Sequence, residues 1–292
     1  MSAKVRQVRK AVFPVGGLGT RFLPVTKSMP KEMLPVSNKP IIQYAFEEAK
    51  KAGIEEFIFI TGRNKNAINN HFDHAYELES ALDQKQKSTE LEEVMGWLPQ
   101  AGSIAFIRQQ KPLGLGHAIW CARNFIGDEP FVVILADEMI LDKENFLKTM
   151  IDNYYKSEEK SSFVSVGQVE KKDLHKYGII AVDKNNRITD MVEKPKAEDA
   201  PSNLAINGRY ILQPEIFKYL EHCTAGSGGE IQLTDAMKMM SKDLPFYAQE
   251  YKGKRFDCGS VLGYLEANIA FALEDDNLKG KFQDLINSYA KP

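Results

Sequence analysis

The sequence predicts an α/β protein built on one central, mostly parallel sheet that is flanked by helices, with a small mixed-sheet extension. Short, continuously apolar runs alternate with helical patterns through the first part of the chain, as is typical of parallel strands that are buried on both faces. Past Val169, short extended runs follow one another without helices between them, and they predict the extension. No linker, repeat or low-complexity tract interrupts the chain, so we expect a single domain over residues 1–292.

The strands and helices are predicted from apolar periodicity and from the turn residues that bound each run. The predicted strands cover residues 10–15, 55–60, 103–107, 131–135, 163–166, 177–182, 187–192 and 206–212. The predicted helices cover residues 40–53, 75–100, 114–124, 145–156 and 259–289. Between the first strand and the first helix, prolines 24, 30 and 35 exclude one continuous helix and indicate a long ordered loop.

Composition excludes several classes of partner and of site. The 292 residues carry 38 basic and 40 acidic side chains, a net charge of −2, so no broad basic field for nucleic acid is expected. The three cysteines are odd in number and far apart, which disfavours a disulfide framework and a CxxC zinc site. No apolar run is long enough to cross a membrane and no secretory h-region follows Met1, so we expect a cytoplasmic protein.

A glycine-rich loop follows the first predicted strand directly. Gly16, Gly17 and Gly19 let backbone amides approach a ligand closely, and successive N–H groups there form a site for anions. The loop is not a dinucleotide fingerprint, because Phe22 stands where the third glycine is needed, and the Gly-Lys-Ser/Thr of a P-loop is absent. The loop also carries three cations, which suit a polyphosphate: Arg21, Lys27 and Lys31.

The sequence of this loop resembles the N-terminal signature of the sugar-nucleotide pyrophosphorylases. The resemblance lies in Gly-Gly-Leu-Gly-Thr-Arg at residues 16–21, in Pro-Lys-Glu-Met-Leu-Pro at residues 30–35 and in Lys39-Pro40. It is closer to the uridylyltransferases than to the thymidylyltransferases. It implies a Rossmann-like nucleotidyltransferase fold with a nucleotide-binding half over about residues 1–170, a sugar-phosphate half over about 171–258 and C-terminal helices over about 259–292.

The resemblance continues in the segment at residues 108–118, Arg-Gln-Gln-Lys-Pro-Leu-Gly-Leu-Gly-His-Ala. In the family this segment recognises the base, and a glutamine amide suits the imide edge of uracil because it both donates and accepts hydrogen bonds. Taken alone, the segment is equally an ordinary strand–turn–helix connection. The nucleotide-binding residues that the resemblance implies are Gly16, Gly17, Gly19, Thr20, Lys27, Gln109 and Gly114.

Two aspartates are the candidate metal ligands. Asp137 ends a buried strand, at the edge where parallel sheets bind ligands, and Asp257 lies in Lys-Arg-Phe-Asp-Cys-Gly at residues 254–259. Both match positions at which the family holds Mg²⁺, whose preferred ligands are hard oxygens. From the residues alone, Asp137 could equally cap a helix and Asp257 could equally be a turn residue.

The sugar-phosphate site is implied by Val-Glu-Lys-Pro at residues 192–195. By resemblance, Lys194 binds the phosphate of glucose 1-phosphate and Glu193 accepts hydrogen bonds from sugar hydroxyls. Gly178, Asn207 and Gly208 match the family's sugar-pocket loops, and residues 229–235 match a further stretch to which we assign a supporting role. Taken alone, the Glu-Lys-Pro sequence is more simply an exposed strand end.

The resemblance therefore implies Mg²⁺-assisted transfer of the uridylyl group of UTP to glucose 1-phosphate, with Arg21, Lys31 and Lys194 as catalytic residues and with a homo-oligomeric assembly, dimer or tetramer. Three positions depart from the family pattern: Val15, Glu138 and Asn207. Of these, Glu138 and Asn207 bear on the choice of sugar. The alternatives are thymidylyl transfer or another sugar 1-phosphate, a catalytically silent nucleotide-binding subunit, and a hydride-transfer enzyme.

Other polar and aromatic residues are assigned ordinary structural roles. His71 and His74 have helical spacing but no third ligand nearby, so they are predicted to be surface or capping residues rather than a metal site. Trp97, Trp120 and Phe125 are predicted to belong to the core.

Overall fold

The computed structural model describes residues 6–157, 160–226 and 229–289. The strands come in chain order, and we number them here: β1 (Lys10–Val15), β2 (Pro35–Val36), β3 (Lys39–Pro40), β4 (Glu56–Thr61), β5 (Ile104–Arg108), β6 (Phe131–Ile134), β7 (Glu138–Leu141), β8 (Ser162–Gln168), β9 (Gly178–Val182), β10 (Ile188–Glu193), β11 (Leu204–Leu212), β12 (Phe246–Glu250) and β13 (Lys254–Asp257).

The helices flank these strands and are numbered in the same way. They are α1 (Ile41–Lys51), α2 (Asn66–His71), α3 (Tyr76–Gln84), α4 (Ser88–Met95), α5 (Leu115–Trp120), α6 (Arg123–Ile126), α7 (Phe146–Lys156), α8 (Ile216–His222), α9 (Leu233–Met240), α10 (Val261–Glu274) and α11 (Lys279–Tyr289). Among the described residues no helix is both long enough and apolar enough to cross a membrane.

One mixed sheet dominates the described part of the chain. Its order is β10-β9-β11-β6-β1-β4-β5, with β8 pairing to both β11 and β12. Strands β6, β1, β4 and β5 are parallel, and β11 joins them antiparallel to β6. The runs predicted beyond Val169 therefore extend the main sheet with antiparallel strands, and the predicted α/β class is confirmed.

The core lies on both faces of this sheet because successive side chains of a strand point in opposite directions. Phe13 packs on one face with α1 and α7, where its ring stacks on Phe59 at 4.6 Å between centroids. Val12 packs on the other face among residues of α5, α8 and α9. Both are fully buried, as expected of a parallel strand that is covered on two sides.

The order of the strands creates a crevice at the carboxyl end of β1. The chain leaves β1 for β4 on one side, and it returns to β6 on the other, so the connections diverge above β1 and leave a ligand-sized opening. The glycine loop follows β1 and Asp137 follows β6 at this edge. Gln109 follows β5, and its Oε1 atom approaches Gly16.

Several predicted elements differ in detail from the structure. The helices predicted over residues 75–100 and 259–289 are each divided, into α3 and α4 and into α10 and α11. The helix predicted over residues 114–124 is divided into α5 and α6, because Cys121 and Ala122 donate to carbonyls three residues back and tighten the helix there. The loop between β1 and α1 is ordered by three 3₁₀ turns, Thr20–Phe22, Val25–Lys27 and Lys31–Met33. Phe125 is half exposed rather than in the core, while Trp97 packs against the core as predicted.

His71 is partly buried, which corrects the prediction of a surface or capping residue. Its ring stacks on Trp97 at 4.7 Å between centroids and lies 3.1 Å from Oε1 of Gln43. Burial lowers the pKa of His71 from 6.5 to about 4, because the charged imidazolium loses its hydration there.

This burial predicts an acid-dependent loss of stability. Between about pH 6.5 and pH 4 the unfolded chain protonates His71 and the folded chain does not, so stability is complete above this window and falls as the pH falls. We expect about 1 to 2 kcal/mol of the loss between about pH 7.5 and about pH 5 to be absent in His71→Phe, which keeps the stacking. Urea unfolding of both proteins at the two pH values measures it, and equal losses would contradict the assignment.

Candidate active site

A polar cleft of about 650 Å³ opens at the carboxyl end of β6, between that strand and β9–β11. Seven of the residues predicted from the sequence line it: Arg21, Asp137, Gly178, Glu193, Lys194, Gly208 and Asp257. The lining also contains Thr234, from the stretch that was assigned a supporting role, and it contains Glu138 and Tyr177. Residues that the sequence did not single out line it too, including His175, Lys176 and Tyr210. Cations and carboxylates face each other across this space, which suits an anionic ligand with polar hydroxyls.

Asp137 and Asp257 converge although 120 residues of chain separate them. A Cβ atom built on Gly259 would lie 2.9 Å from an Asp137 carboxylate oxygen and 2.9 Å from one of Asp257. The pairing of β7 with β13 creates this meeting, because Asp257 lies directly opposite Glu138 in the register. The same built atom would lie 3.6 Å from Nη1 of Arg21, so a cation shares this corner.

The two carboxylates fit a divalent metal whose remaining ligands come from substrate and water. Mg²⁺ is held in many phosphate-transfer sites by one or two carboxylates together with phosphate oxygens. Among the described residues no cluster of three or more His, Cys, Asp or Glu side chains could hold a metal by protein ligands alone. The donors present therefore suit a metal that binds with a phosphate substrate.

Lys31 forms an ion pair with Asp137, with Nζ 2.5 Å from Oδ2. Burial opposes charge on both groups, but each counter-charge outweighs it, so the pKa of Lys31 is raised and the pKa of Asp137 is lowered. Both side chains are therefore charged near neutral pH, and Lys31 is held ready for an anion.

The glycine loop packs on the Lys31 side chain. Gly17 and Gly19 lie against its methylene carbons, and the Thr26 hydroxyl closes the loop by donating to the Gly19 carbonyl at 2.7 Å. Thr20 and Lys27 are exposed on the following turns and lie outside the set of residues that line the cleft. The structure thus brings the glycines and Lys31 together, and leaves Lys27 at the surface of the loop.

Gln109 is buried beside the glycine loop. Its Nε2 atom donates to the Gly114 carbonyl at 3.1 Å and lies 3.0 Å from Nδ1 of His117. These contacts direct Oε1 towards Gly16. His117 was not picked out from the sequence, but it directly follows Gly116, the last glycine of the same segment. Burial lowers its pKa, which favours the neutral ring, and Nδ1 of that ring can accept a hydrogen bond from the Gln109 amide.

The turn that carries Gly114 docks on the segment before α9. Ile231 donates to the Leu113 carbonyl at 2.8 Å, and Gly116 donates to the Ile231 carbonyl at 2.9 Å. Gly114 has φ +101°, and a Cβ there would lie 2.7 Å from Cβ of Glu230, so glycine is needed for both conformation and space. Residues 229–235 therefore contact the turn beside Gln109 as well as the cleft.

The opposite wall of the cleft is built around Glu193. The Thr234 hydroxyl donates to Oε2 of Glu193 at 2.7 Å, and Nζ of Lys194 lies 3.2 Å from Oε1. Gly178 faces this pair at close range, since a Cβ there would lie 3.0 Å from the Thr234 hydroxyl. Lys194 has φ +45°, a left-handed conformation that costs about 1 kcal/mol or more in a lysine. Backbone strain of this kind is typical of functional sites.

The contact from Thr234 predicts the effect of its removal. Thr234→Val keeps the shape but leaves Glu193 without the hydroxyl that fixes its rotamer, so the carboxylate is no longer preorganised for a hydroxylated ligand. We expect KM for the sugar phosphate to rise about 10-fold with little change in KM for the nucleotide. Steady-state kinetics measure both constants, with the exposed Thr149→Val as control, and a rise for the nucleotide alone would contradict the role.

Glu138 is paired and does not face the cleft as a free carboxylate. Nε and Nη2 of Arg255 donate to its two oxygens at 2.5 and 2.8 Å, and the guanidinium lies 4.7 Å from the centroid of the Tyr177 ring. Glu138 holds the pKa of Arg255 above its usual value, although burial opposes it. This pair joins β7 to β13 and so supports the approach of Asp257 to Asp137.

The prediction that the Asn207 side chain binds sugar is wrong. Asn207 lies on the face of β11 that points away from the cleft, where its Oδ1 atom accepts a 2.6 Å hydrogen bond from Ser165. Strand alternation is the physical reason, because Ile206, Gly208 and Tyr210 line the cleft and Asn207 lies between them. The departure of Asn207 from the family pattern therefore concerns packing.

Cys258 directly follows Asp257 in the chain but is not a nucleophile. It is fully buried, and burial raises its pKa to about 12, so the thiol stays protonated near neutral pH. The chemistry that the cleft can support is therefore the positioning and charge neutralisation of anionic reactants.

The chain is similar to known proteins over nearly its whole length. Residues 10–273 match the model of the nucleotidyl transferase family. The chain is 48% identical over 279 residues to the UTP–glucose-1-phosphate uridylyltransferase of Bacillus subtilis (strain 168), covering 94% of each chain.

Solved structures with ligands are also similar. The UTP-bound UGPase from Acinetobacter baumannii superposes with a TM-score of 0.87 at 40% identity, covering 96% of this chain and 99% of that one. A UDP-glucose pyrophosphorylase complexed with UDP-glucose superposes with a TM-score of 0.81 at 42% identity, covering 92% of this chain and 100% of that one. The chain therefore belongs to the nucleotidyl transferase family, among the UTP–glucose-1-phosphate uridylyltransferases.

Proposed function

We propose that the protein transfers the uridylyl group of UTP to glucose 1-phosphate, giving UDP-glucose and pyrophosphate. The observation that carries the proposal is the convergence in one cleft of Asp137 and Asp257, with cations of the glycine loop beside them and Glu193 and Lys194 opposite. Binding of UTP and of UDP-glucose by the two similar structures supports the choice of substrates.

The nucleotide side of the site is assigned to the residues at the ends of β1 and β5. The amides of Gly16, Gly17, Gly19 and Thr20 would bind the triphosphate, and the Gln109 amide would read the uracil edge from its position beside Gly114. Lys27 is assigned to the triphosphate through the loop that carries it. We expect the exposed position of Lys27 to make it the weakest contributor among the cations.

Charge neutralisation is the task of Arg21 and Lys31. The pyrophosphate leaving group gains negative charge as the bond to the α-phosphorus breaks. Both cations lie beside the candidate metal ligands, where they would neutralise that charge. Lys31 reaches this position through the ion pair with Asp137, which it would exchange in part for phosphate oxygens. No proton has to be removed from the nucleophile, since a sugar phosphate is ionised near neutral pH.

The sugar side is assigned to β9–β11. Lys194 would orient the attacking phosphate, and Glu193, fixed by Thr234, would accept hydrogen bonds from sugar hydroxyls beside Gly178 and Gly208. Attack from this wall places the nucleophile opposite the loop that holds the pyrophosphate. This arrangement supports the proposal of in-line displacement at the α-phosphorus.

We assign the divalent cation as Mg²⁺, held by Asp137 and Asp257 with phosphate oxygens. When bound, it would supply positive charge that lowers the repulsion between anionic reactants. Asp137 and Asp257 would hold it, and Lys31 keeps Asp137 ionised by lowering its pKa.

We further propose a homo-oligomeric assembly and a cytoplasmic location. Val261, Leu262, Leu265 and Ile269 leave large apolar side chains exposed at helical spacing on α10, which supports an oligomer and is tested by light scattering. The three cysteines are free thiols, as expected in a reducing compartment, and cell fractionation tests this assignment.

The experiment is a nucleotide panel. The protein is incubated with Mg²⁺, glucose 1-phosphate and UTP, dTTP, CTP, ATP or GTP, and pyrophosphate release is measured. Preference for UTP that EDTA abolishes supports the proposed reaction and the metal together. Turnover mainly with dTTP would move the protein to thymidylyl transfer, and silence with every nucleotide and sugar phosphate would overturn the proposal.

A further inference from the structure

The carboxylate of Asp137 is carried on a tight turn between β6 and β7. Glu138 donates to the Leu135 carbonyl at 3.2 Å, so residues 135–138 close on themselves with Asp137 near the tip. Cys258 donates to the Asp137 carbonyl at 2.7 Å, and Leu135 donates to the Gly208 carbonyl at 2.8 Å. The direction of the Asp137 side chain therefore depends on how firmly the backbone of this turn is held.

Arg209 holds the same turn from the buried side of the sheet. Its Nη1 atom donates to the carbonyls of both Leu135 and Glu138, at 3.3 Å for Leu135, and so spans the turn on either side of Asp137. Arg209 is 2% exposed and lies on the face of β11 that points away from the cleft. Arg209 therefore contacts the peptide groups on either side of Asp137, and it does not line the cleft.

Glu48 of α1 fixes the guanidinium in this position. Nη2 and Nε of Arg209 donate to its two carboxylate oxygens at 2.6 and 3.3 Å. The bidentate contact uses one edge of the guanidinium and leaves the remaining N–H groups for the two carbonyls. Asn145 also donates to the backbone carbonyl of Glu48 at 2.8 Å, so the support continues to the start of α7.

Stability alone is a weak reason for such a pair. Burying two charges costs much of what their attraction returns, and well-packed neutral residues often serve a fold equally well. A planar cation with several N–H groups is the side chain that can bind a carboxylate and two carbonyls at once. This geometry is what positioning of the turn requires.

We propose that Arg209, oriented by Glu48, is a positioning residue for the metal site: it fixes the turn so that the Asp137 carboxylate is directed towards Asp257. The proposal rests on the metal role assigned to Asp137 above. Groups behind the ligands of metal sites orient those ligands, and losing such groups lowers metal affinity about 10- to 100-fold.

Two variants separate positioning from folding. Arg209→Met with Glu48→Gln removes both charges together, so no unpaired buried charge is left to unfold the protein. Arg209→Lys keeps the charge and the ion pair but replaces the planar fork by one ammonium, which cannot reproduce all four contacts. The lysine variant keeps the proposal testable if the double variant fails to give a cooperative thermal transition.

The readout is the effect of Mg²⁺ on binding of UDP-glucose, measured by titration calorimetry in the absence of pyrophosphate so that no turnover occurs. We expect the Mg²⁺ concentration for half of the affinity gain to rise about 10- to 100-fold in both Arg209 variants. The affinity for UDP-glucose in EDTA should match that of the unmodified protein. An unchanged Mg²⁺ requirement in the variants would overturn the proposal.

Two further proteins locate a failure. Ile211→Ala removes a fully buried side chain from the same face of β11 and should lower the melting temperature while leaving the Mg²⁺ requirement unchanged. If Ile211→Ala raised the Mg²⁺ requirement as much as the Arg209 variants do, the Arg209 effect would reflect general destabilisation and the proposal would be wrong. Asp137→Asn should abolish the Mg²⁺-dependent gain; if it did not, the metal site assigned under the proposed function would be wrong, and this inference with it.

Discussion

Asp137→Asn is expected to lower kcat for UDP-glucose formation by about 10³-fold at saturating substrates. The amide keeps the shape of the side chain but supplies no anionic oxygen to a metal, and it leaves Lys31 without the counter-charge that lies 2.5 Å away in the structure. Both losses would fall on the transition state, where positive charge beside the phosphate groups is most needed. Pyrophosphate release at several Mg²⁺ concentrations measures the effect.

The control for this prediction is Asp152→Asn, which removes the same charge from the exposed surface of α7. Its kcat should match that of the unmodified protein, because exposed ion pairs contribute little. Urea unfolding of both variants shows whether the loss in Asp137→Asn reflects unfolding. A folded Asp137→Asn protein with normal kcat and the normal Mg²⁺ requirement would contradict the assigned role.

Lys194→Met is expected to reduce kcat/KM for glucose 1-phosphate by about 10²- to 10³-fold while KM for UTP changes little. Methionine preserves the aliphatic stem and removes the ammonium that would orient the attacking phosphate. Lys196→Met, two residues along the same exposed segment, is the matched control and should retain normal kinetics. Equal losses for both substrates would show that Lys194 does not belong to the sugar-phosphate wall.

The backbone at Lys194 supplies an independent check. Because φ is +45° there, Lys194→Gly should be at least as stable as Lys194→Met, since glycine adopts this conformation without the steric cost. Activity should nevertheless be lost in both. A functional lysine in a strained conformation thus separates stability from activity at a single position.

Much of the site could be predicted from short motifs because each lies within a few residues of a strand end. Asp137, Gly178, Glu193 and Lys194 all stand where a predicted strand begins or ends, and the sheet brings those ends together. Asp257 could be placed only through the family resemblance. Its approach to Asp137 depends on the pairing of β7 with β13, which joins distant parts of the chain.

The contacts that support the Asp137 turn could not be predicted either, because they also join distant parts of the chain. Arg209 and Glu48 are 161 residues apart in sequence, and neither has a local pattern that announces its partner. Asn207 was within reach of sequence reasoning, because the parity of β11 places Gly208 and Tyr210 in the cleft and Asn207 behind it. A motif match alone places Asn207 in the sugar pocket, whereas strand alternation places its side chain on the opposite face.

The docking of the Leu113–Gly116 backbone on Ile231 has a consequence for how this enzyme can diversify. Residues 231–234 contact both halves of the site. Ile231 binds the turn beside Gln109, and Thr234 donates to the carboxylate of Glu193. Substitutions that adapt the enzyme to a new sugar will therefore show epistasis with those that adapt it to a new base. Grafting one specificity from a relative should succeed only when residues 113–116 and 229–234 are transplanted together.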